Sequence, residues 1–102
     1  ELMVVKSDGR REAFDRGKVF HGLQLAFTKR SVSVDQIHEI VDRVAFYLTS
    51  LNEREVPSKR IGEFVMQELR KLDDVAYVRF ASVYREFKDR NEFIEELQQM
   101  DQ

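Results

Sequence analysis

The stretch Ser33-Val34-Asp35-Gln36-Ile37-His38-Glu39-Ile40-Val41-Asp42-Arg43-Val44-Ala45-Phe46-Tyr47-Leu48-Thr49-Ser50-Leu51 sets the class of the fold. Ile37, Ile40, Val41, Val44, Leu48 and Leu51 recur at steps of three and four, which places them on one face of an α-helix. Ser33 followed three residues later by Gln36 matches a capping box, in which each side chain satisfies a backbone N–H left without a partner at the helix start. A helix with so continuous an apolar face needs others to cover it, so the flanking sequence is read for its partners.

Toward the N-terminus, Leu2 to Lys6 and Arg11 to Phe14 are rich in strand formers and are separated by Asp8-Gly9, a dipeptide suited to a two-residue hairpin turn. Asp15 then stands where an N-cap is expected, and Val19, Phe20, Leu23, Ala26 and Phe27 follow at helical spacing. This first helix is predicted to run to about Lys29.

Toward the C-terminus, Asn52 to Pro57 breaks the period, and Glu55 and Val56 can add a short strand beside the hairpin, which alone is marginal in water. Ser58 is a plausible cap for a third helix carrying Ile61, Phe64, Val65, Leu69 and Leu72, ending near Leu72. Asp73-Asp74 reads as an interruption or a new N-terminus. Val75 to Phe87 has Ala76, Phe80, Val83 and Phe87 on one stripe and Tyr77, Ala81 and Tyr84 on the next, the signature of a helix that is buried or meets a partner. Asp89 or Asn91 can cap a last short helix with Phe93, Ile94, Leu97 and Met100 on one side. These elements give a small hairpin or sheet capping about four helices.

The composition sets the outer limits. The chain has 102 residues, 42% hydrophobic and 35% charged, with one Pro and four Gly, which fits one folded domain able to bury a core without cross-links. Seventeen Lys and Arg against nineteen Asp and Glu leave a net charge of -2, which disfavours direct binding to nucleic acid. The absence of Cys removes disulfides and thiolate zinc sites and fits a reducing, cytoplasmic setting. No apolar run is long enough to span a membrane. The chain opens at Glu1 directly into an apolar alternating stretch, as a piece of a longer protein would.

Catalytic and metal chemistry find little to work with. Ser, Thr and His occupy cap, loop or helix positions without a nucleophile elbow, so no catalytic residue is assigned and the chain is read as a non-enzyme. His21 and His38 lie on different helices with no ligand partner at metal spacing, and no metal site is expected. Asp73-Asp74 and Glu95-Glu96 are sequence neighbours, which on a helix diverge by about 100°. Neither glycine-rich phosphate motif is present. One cluster stands out: Lys6, Arg10 and Arg11 on the hairpin, with Arg16 and Lys18 at the start of the first helix. By itself it supports two readings, a charged sheet edge kept soluble or a phosphate site using a helix N-terminus.

A resemblance separates these readings. Val4-Val5-Lys6-Ser7-Asp8-Gly9, Glu12, Phe14-Asp15 and Lys18 are similar to the opening of an ATP-cone, the regulatory nucleotide-binding domain of many ribonucleotide reductases. Ile61-Gly62-Glu63-Phe64-Val65-Met66 and Leu72 to Arg85 resemble the bacterial transcriptional repressors of ribonucleotide reductase genes. The resemblance covers about Leu2 to Phe93. It implies an α+β, mainly α fold over residues 1–102: an ATP-cone, a four-helix bundle capped by a three-stranded sheet made of the hairpin and one short strand, with a further C-terminal helix.

By position, the resemblance places Val4 and Phe14 against adenine, Lys6 and Lys18 on phosphates, Glu12 toward the base or sugar, and Ser58, Gly62 and Tyr77 at the closing side. Ser7 stands where the family usually has a basic residue, a departure for which Arg10 or Arg11 can compensate. The implied ligand is ATP or dATP acting allosterically, with Mg2+ as the companion of a triphosphate. The implied partners are adenine nucleotides and further copies of the chain. DNA contact is assigned to a four-cysteine zinc ribbon that this cysteine-free chain does not contain. The expected function is therefore the nucleotide-sensing part of a repressor, its occupancy controlling assembly and operator binding by the parent protein. The alternatives are the activity-regulating cone of a reductase catalytic subunit and a helical interaction module without a ligand.

Overall fold

The computed structural model describes residues 1–84 and Gln98. Its elements follow the order β1 (Met3–Val5), β2 (Arg11–Ala13), α1 (Arg16–Ala26), α2 (Val34–Ser50), β3 (Glu55–Pro57), α3 (Ser58–Leu72) and α4 (Asp74–Tyr84). The α+β, mainly α architecture expected from the sequence is what forms, including the third strand. The last part of the fourth predicted helix, beyond Tyr84, and the predicted helix over Phe93 to Met100 lie outside the described residues.

Each start and stop has a local cause. At α2, the Gln36 backbone N–H donates to Ser33 Oγ at 3.1 Å and the Ser33 N–H donates to Gln36 Oε1 at 2.9 Å, completing the capping box. At α1, the Gly17 N–H donates to Asp15 Oδ1 at 2.8 Å. That helix stops at Ala26, earlier than Lys29, with Phe27 as its C-cap, and the turn that follows passes through Lys29 at a left-handed φ of 61°. Asn52, with φ 53°, closes the turn after α2 in the same way, at a residue type that tolerates this region.

Two further expectations are corrected. Ser58 does not cap α3; Pro57, the last residue of β3, takes that position, and Ser58 is already helical. Strand and helix are continuous here, so no loop residue remains to serve as a side-chain cap. The hairpin loop is longer than two residues. The Gly9 N–H donates to the Lys6 carbonyl, the Lys6 N–H donates to the Arg10 carbonyl, and Gly9 takes φ 89°. This is a three-residue connection with glycine at the left-handed position, a conformation glycine adopts without strain.

The sheet has the order β2-β1-β3, with β1 antiparallel to β2 and parallel to β3. Val4 pairs with Glu12 on one side and Val56 on the other, so these three share a face. The alternation then places Leu2, Lys6 and Phe14 on the same inner face, and Met3, Val5, Arg11, Ala13, Glu55 and Pro57 on the outer one.

Beneath the sheet, Leu23, Ile40, Val44, Val56, Leu69, Ala76 and Ala81 are all at 0% exposure in one continuous core shared by the sheet and the four helices. Val41, Leu48, Val65, Met66 and Tyr77 join them. Polar links then fix the helix ends. Arg30 Nε donates to Asp73 Oδ2 at 2.9 Å, and Asp73 Oδ1 also accepts from the Ala76 N–H at 2.9 Å, so Asp73 serves as the N-cap of α4. Asp73-Asp74 is thus a new N-terminus rather than a break within one helix. Arg79 Nη1 donates to the carbonyls of Ala26 and Thr28 at 3.1 and 2.6 Å, satisfying acceptors left over at the end of α1. Among the described residues no buried side-chain nitrogen or oxygen lacks a partner.

Candidate functional site

The strand alternation that buries Val4 also brings charge to the sheet rim. Glu12 leaves the inner face one pair from the hairpin end, and its carboxylate lies 3.2 Å from Lys18 Nζ and 3.7 Å from Lys6 Nζ. Three side chains from β1's end, β2 and α1 therefore converge. The hydrogen bond from Lys18, reinforced by its charge and by that of Lys6, holds the Glu12 carboxyl below the usual carboxylate range.

The other basic residues of the expected cluster do not join this group. Arg10 Nε pairs with Asp8 Oδ2 at 2.6 Å within the hairpin loop. Arg11 Nε reaches Glu55 Oε1 at 2.7 Å across the outer face, tying β2 to β3 over the central strand. Arg16 pairs with Asp42 on α2. Hydrogen bonds from Arg10 and Arg11 hold the Asp8 and Glu55 carboxyls below their ordinary values as well. The sequence cluster thus divides into one shared site and three separate straps, of which those of Arg11 and Arg16 use partners distant in sequence while that of Arg10 is local to the hairpin loop.

The start of α3 belongs to the same end of the sheet. Because β1 and β3 run parallel with Val5 opposite Pro57, the next residues, Lys6 and Ser58, stand level. α3 begins there with no side-chain cap, so its first N–H groups face outward with the positive end of the helix dipole. The start of α1 is different, since the Asp15 carboxylate already accepts from its first turn. Of the two helix starts, α3's is the better suited to an anion.

The remaining expected residues fall into three settings. Val4 is buried at mid-strand, and Phe14 packs half-buried against the core at the end of β2. Ser7 is exposed in the hairpin loop. Ser58, Gly62 and Tyr77 surround the α3–α4 contact. A Cβ on Gly62 would lie 2.1 Å from the Tyr84 ring, so this glycine is the space that admits the ring. The Tyr84 hydroxyl donates to the carbonyl of Lys59 in the first turn of α3, with Ser58's carbonyl next to it at 3.5 Å. Tyr77 is buried, at 3% exposure. Tyr84 was legible only as a stripe residue. The signal that points to it is Gly62 itself, since a glycine inside a helical pattern marks a close approach.

Among the described residues no group of three or more His, Cys, Asp or Glu converges on a metal, and no helix is long and apolar enough to cross a membrane. His38 instead stacks on Phe20, with ring centroids 4.7 Å apart.

Comparison with known proteins agrees with this geometry. Residues 2–90 match the family model of the ATP cone domain. The chain is 57% identical over 99 residues to the transcriptional repressor NrdR of Desulforapulum autotrophicum, covering 97% of this chain and 60% of the relative. It is 58% identical over 98 residues to the NrdR of Geobacter sulfurreducens, covering 96% and 65%, and 57% identical over 95 residues to that of Myxococcus xanthus, covering 93% and 56%. The chain therefore spans about three-fifths of the length of these relatives. A sheet of the hairpin and one later strand capping four helices, with lysines at its rim and a family match over residues 2–90, places this chain in the ATP-cone family.

Proposed function

We propose that the domain binds an adenine nucleotide, ATP or dATP, and serves as the nucleotide-sensing part of a transcriptional repressor of ribonucleotide reductase genes. The observation that carries this is the meeting of Lys6 and Lys18 at one rim of the sheet, level with an α3 start that has no side-chain cap. Two ammonium groups and a row of backbone N–H groups form a natural phosphate cradle without a glycine-rich loop. Val4 and Phe14 on the inner sheet face supply apolar surface for the base, and Ser7, Glu12, Ser58, Gly62 and Tyr77 complete the set of residues around the ligand. Mg2+ enters as the companion of the triphosphate.

Relatives named as repressors favour this setting over the regulatory cone of a reductase catalytic subunit. In the parent protein, nucleotide occupancy would select among assemblies of several copies, and a zinc ribbon outside this chain would contact the operator. ATP and dATP differ by one ribose hydroxyl, so the switch requires a bistable assembly that responds to a coupling of about 1–3 kcal/mol.

The direct test is Lys18→Ala. Its side chain is largely solvent-exposed and supports no core packing. The variant is expected to keep its helical circular dichroism and to lose affinity for ATP and dATP in calorimetry. Unchanged affinity would remove Lys18 from the site.

A further inference from the structure

Of the six large apolar side chains left exposed among the described residues, four lie at one end of the bundle: Leu25, Val34, Leu72 and Val75, at 38–60% exposure. Leu25 is in the last turn of α1, Val34 opens α2, Leu72 closes α3 and Val75 is in the first turn of α4. β2 and β3 lead directly into the starts of α1 and α3, so this end is the one turned away from the sheet. The 11 and 15 residues of α1 and α3 put about 16–22 Å between it and the lysine rim. The Arg30–Asp73 ion pair and the bonds from Arg79 to the carbonyls of Ala26 and Thr28 join the α1–α2 loop to the α3–α4 corner, so the four side chains belong to one end surface. The other two, Phe46 and Val83, lie toward the opposite ends of α2 and α4.

We propose that a second copy of the chain packs against this end, the place where the assemblies of the reading above would meet; only its regulatory use rests on that reading. Apolar side chains exposed together, rather than singly, mark a surface that meets another protein. Charge selects the partner. Asp35, Lys71 and Asp74 adjoin three of the four in sequence and Lys29 follows Leu25 by one turn; all four charged residues are exposed, and none has an ion pair among the described residues. Two cations and two anions give no net charge with which to draw nucleic acid, an anionic membrane surface or a basic segment. They suit the same surface on a second copy, because in a two-fold contact the residues of one copy meet those of the other and each Lys has an Asp to face. Four half-exposed side chains are few for a standard interface of about 800 Å² per partner, so the contact is expected to be weak and concentration-dependent. α1 and α3 begin at the lysine rim and end here, which gives the proposed nucleotide site two elements in common with the contact.

The test is sedimentation equilibrium of the full chain over a range of concentrations, alone, with ATP and with dATP, with circular dichroism to show that each variant folds. Wild type is expected to self-associate, and Leu25→Glu and Leu72→Glu to weaken that association about tenfold or more, since each places an unpaired carboxylate in the contact. Phe46→Glu changes an exposed apolar residue outside this end and should associate as wild type does. The double variant Lys29→Glu/Lys71→Glu makes all four charges at this end negative, and Asp35→Lys/Asp74→Lys makes all four positive. Each alone should associate more weakly than wild type, and a mixture of the two more tightly than either. A wild type that stays monomeric under all three conditions, association that Leu25→Glu and Leu72→Glu leave intact, or a mixture no tighter than its components would overturn the proposal. Calorimetry on the same samples keeps the two readings apart: ATP binding without any association fails this surface alone, and association through this end without ATP or dATP binding fails the nucleotide reading alone.

Discussion

The α2–α3 pair and the β2-β1-β3 sheet pack against the same core but are held by different forces. Between the two helices lie Ile40, Val44, Val65 and Leu69, all at 0–2% exposure, with Tyr47 of α2 stacked on Phe64 of α3 at 4.4 Å. Each sheet strand has only three residues, and of the nine only Val4 and Val56 are buried. The rest of the sheet is secured by backbone pairing and by ion pairs at its rim and outer face. Apolar burial is not weakened by charge screening or by carboxylate protonation, whereas exposed ion pairs are weakened by both. Stability thus rests on the helices, which fix the shape, while the more weakly held sheet that forms a lid over them carries the exposed charged groups that the proposed function assigns to the ligand.

Substitutions that remove apolar volume should break this contrast most strongly. Ile40→Ala deletes a fully buried side chain at the centre of α2 and is expected to cost about 2–5 kcal/mol, measured by urea unfolding. A loss as small as that of a surface residue would show that the core does not rest on α2. At the α3–α4 seam, Gly62→Ala drives a Cβ into the Tyr84 ring and should cost about 1–3 kcal/mol through overpacking. Adding Tyr84→Ala should recover much of that loss, and additive effects in the double-mutant cycle would show that the two residues do not meet.

The smallest effect belongs to the lid and sharpens the comparison by pH. Asp8, Glu12 and Glu55 have folded-state pKa values below their ordinary ones because of their Arg and Lys partners. A depressed carboxylate stabilises the fold above its ordinary pKa and loses that contribution as pH falls through the lower folded value. Little change is therefore expected from neutrality down to the ordinary carboxylate range, followed by loosening of the lid below it. Amide hydrogen exchange should accelerate in β1 and β2 before α2, and high salt should mimic part of the effect. Simultaneous loss of protection in sheet and helices would show that lid and core are one cooperative unit.

How far the site was legible follows the same division. Lys6 and Lys18 could be singled out as charges near a hairpin and a helix start, and the family resemblance assigned them to phosphate. Their convergence on Glu12 depends on strand alternation combined with the path of α1, which no local pattern contains. Gly62 was legible as a residue of the family motif but not as the seat of Tyr84, because the ring arrives from a helix twenty-two positions later. Ser58 illustrates the opposite error, since its cap chemistry was sound and the continuity of β3 with α3 left Pro57 in the cap position.

What the sequence alone determined is what rests on nearest neighbours along the chain. This includes the apolar faces of α1 to α4, the capping box at Ser33 and the cap at Asp15, the glycine turn of the hairpin and the strand character around Val56. Only the tertiary structure decided which cations share a carboxylate, which helix start remains without a side-chain cap, and which ring occupies the space at Gly62. Periodicity states which face of an element turns inward; the register of β1 against β2 and β3, and the packing of α4 on α3, settle what that face meets.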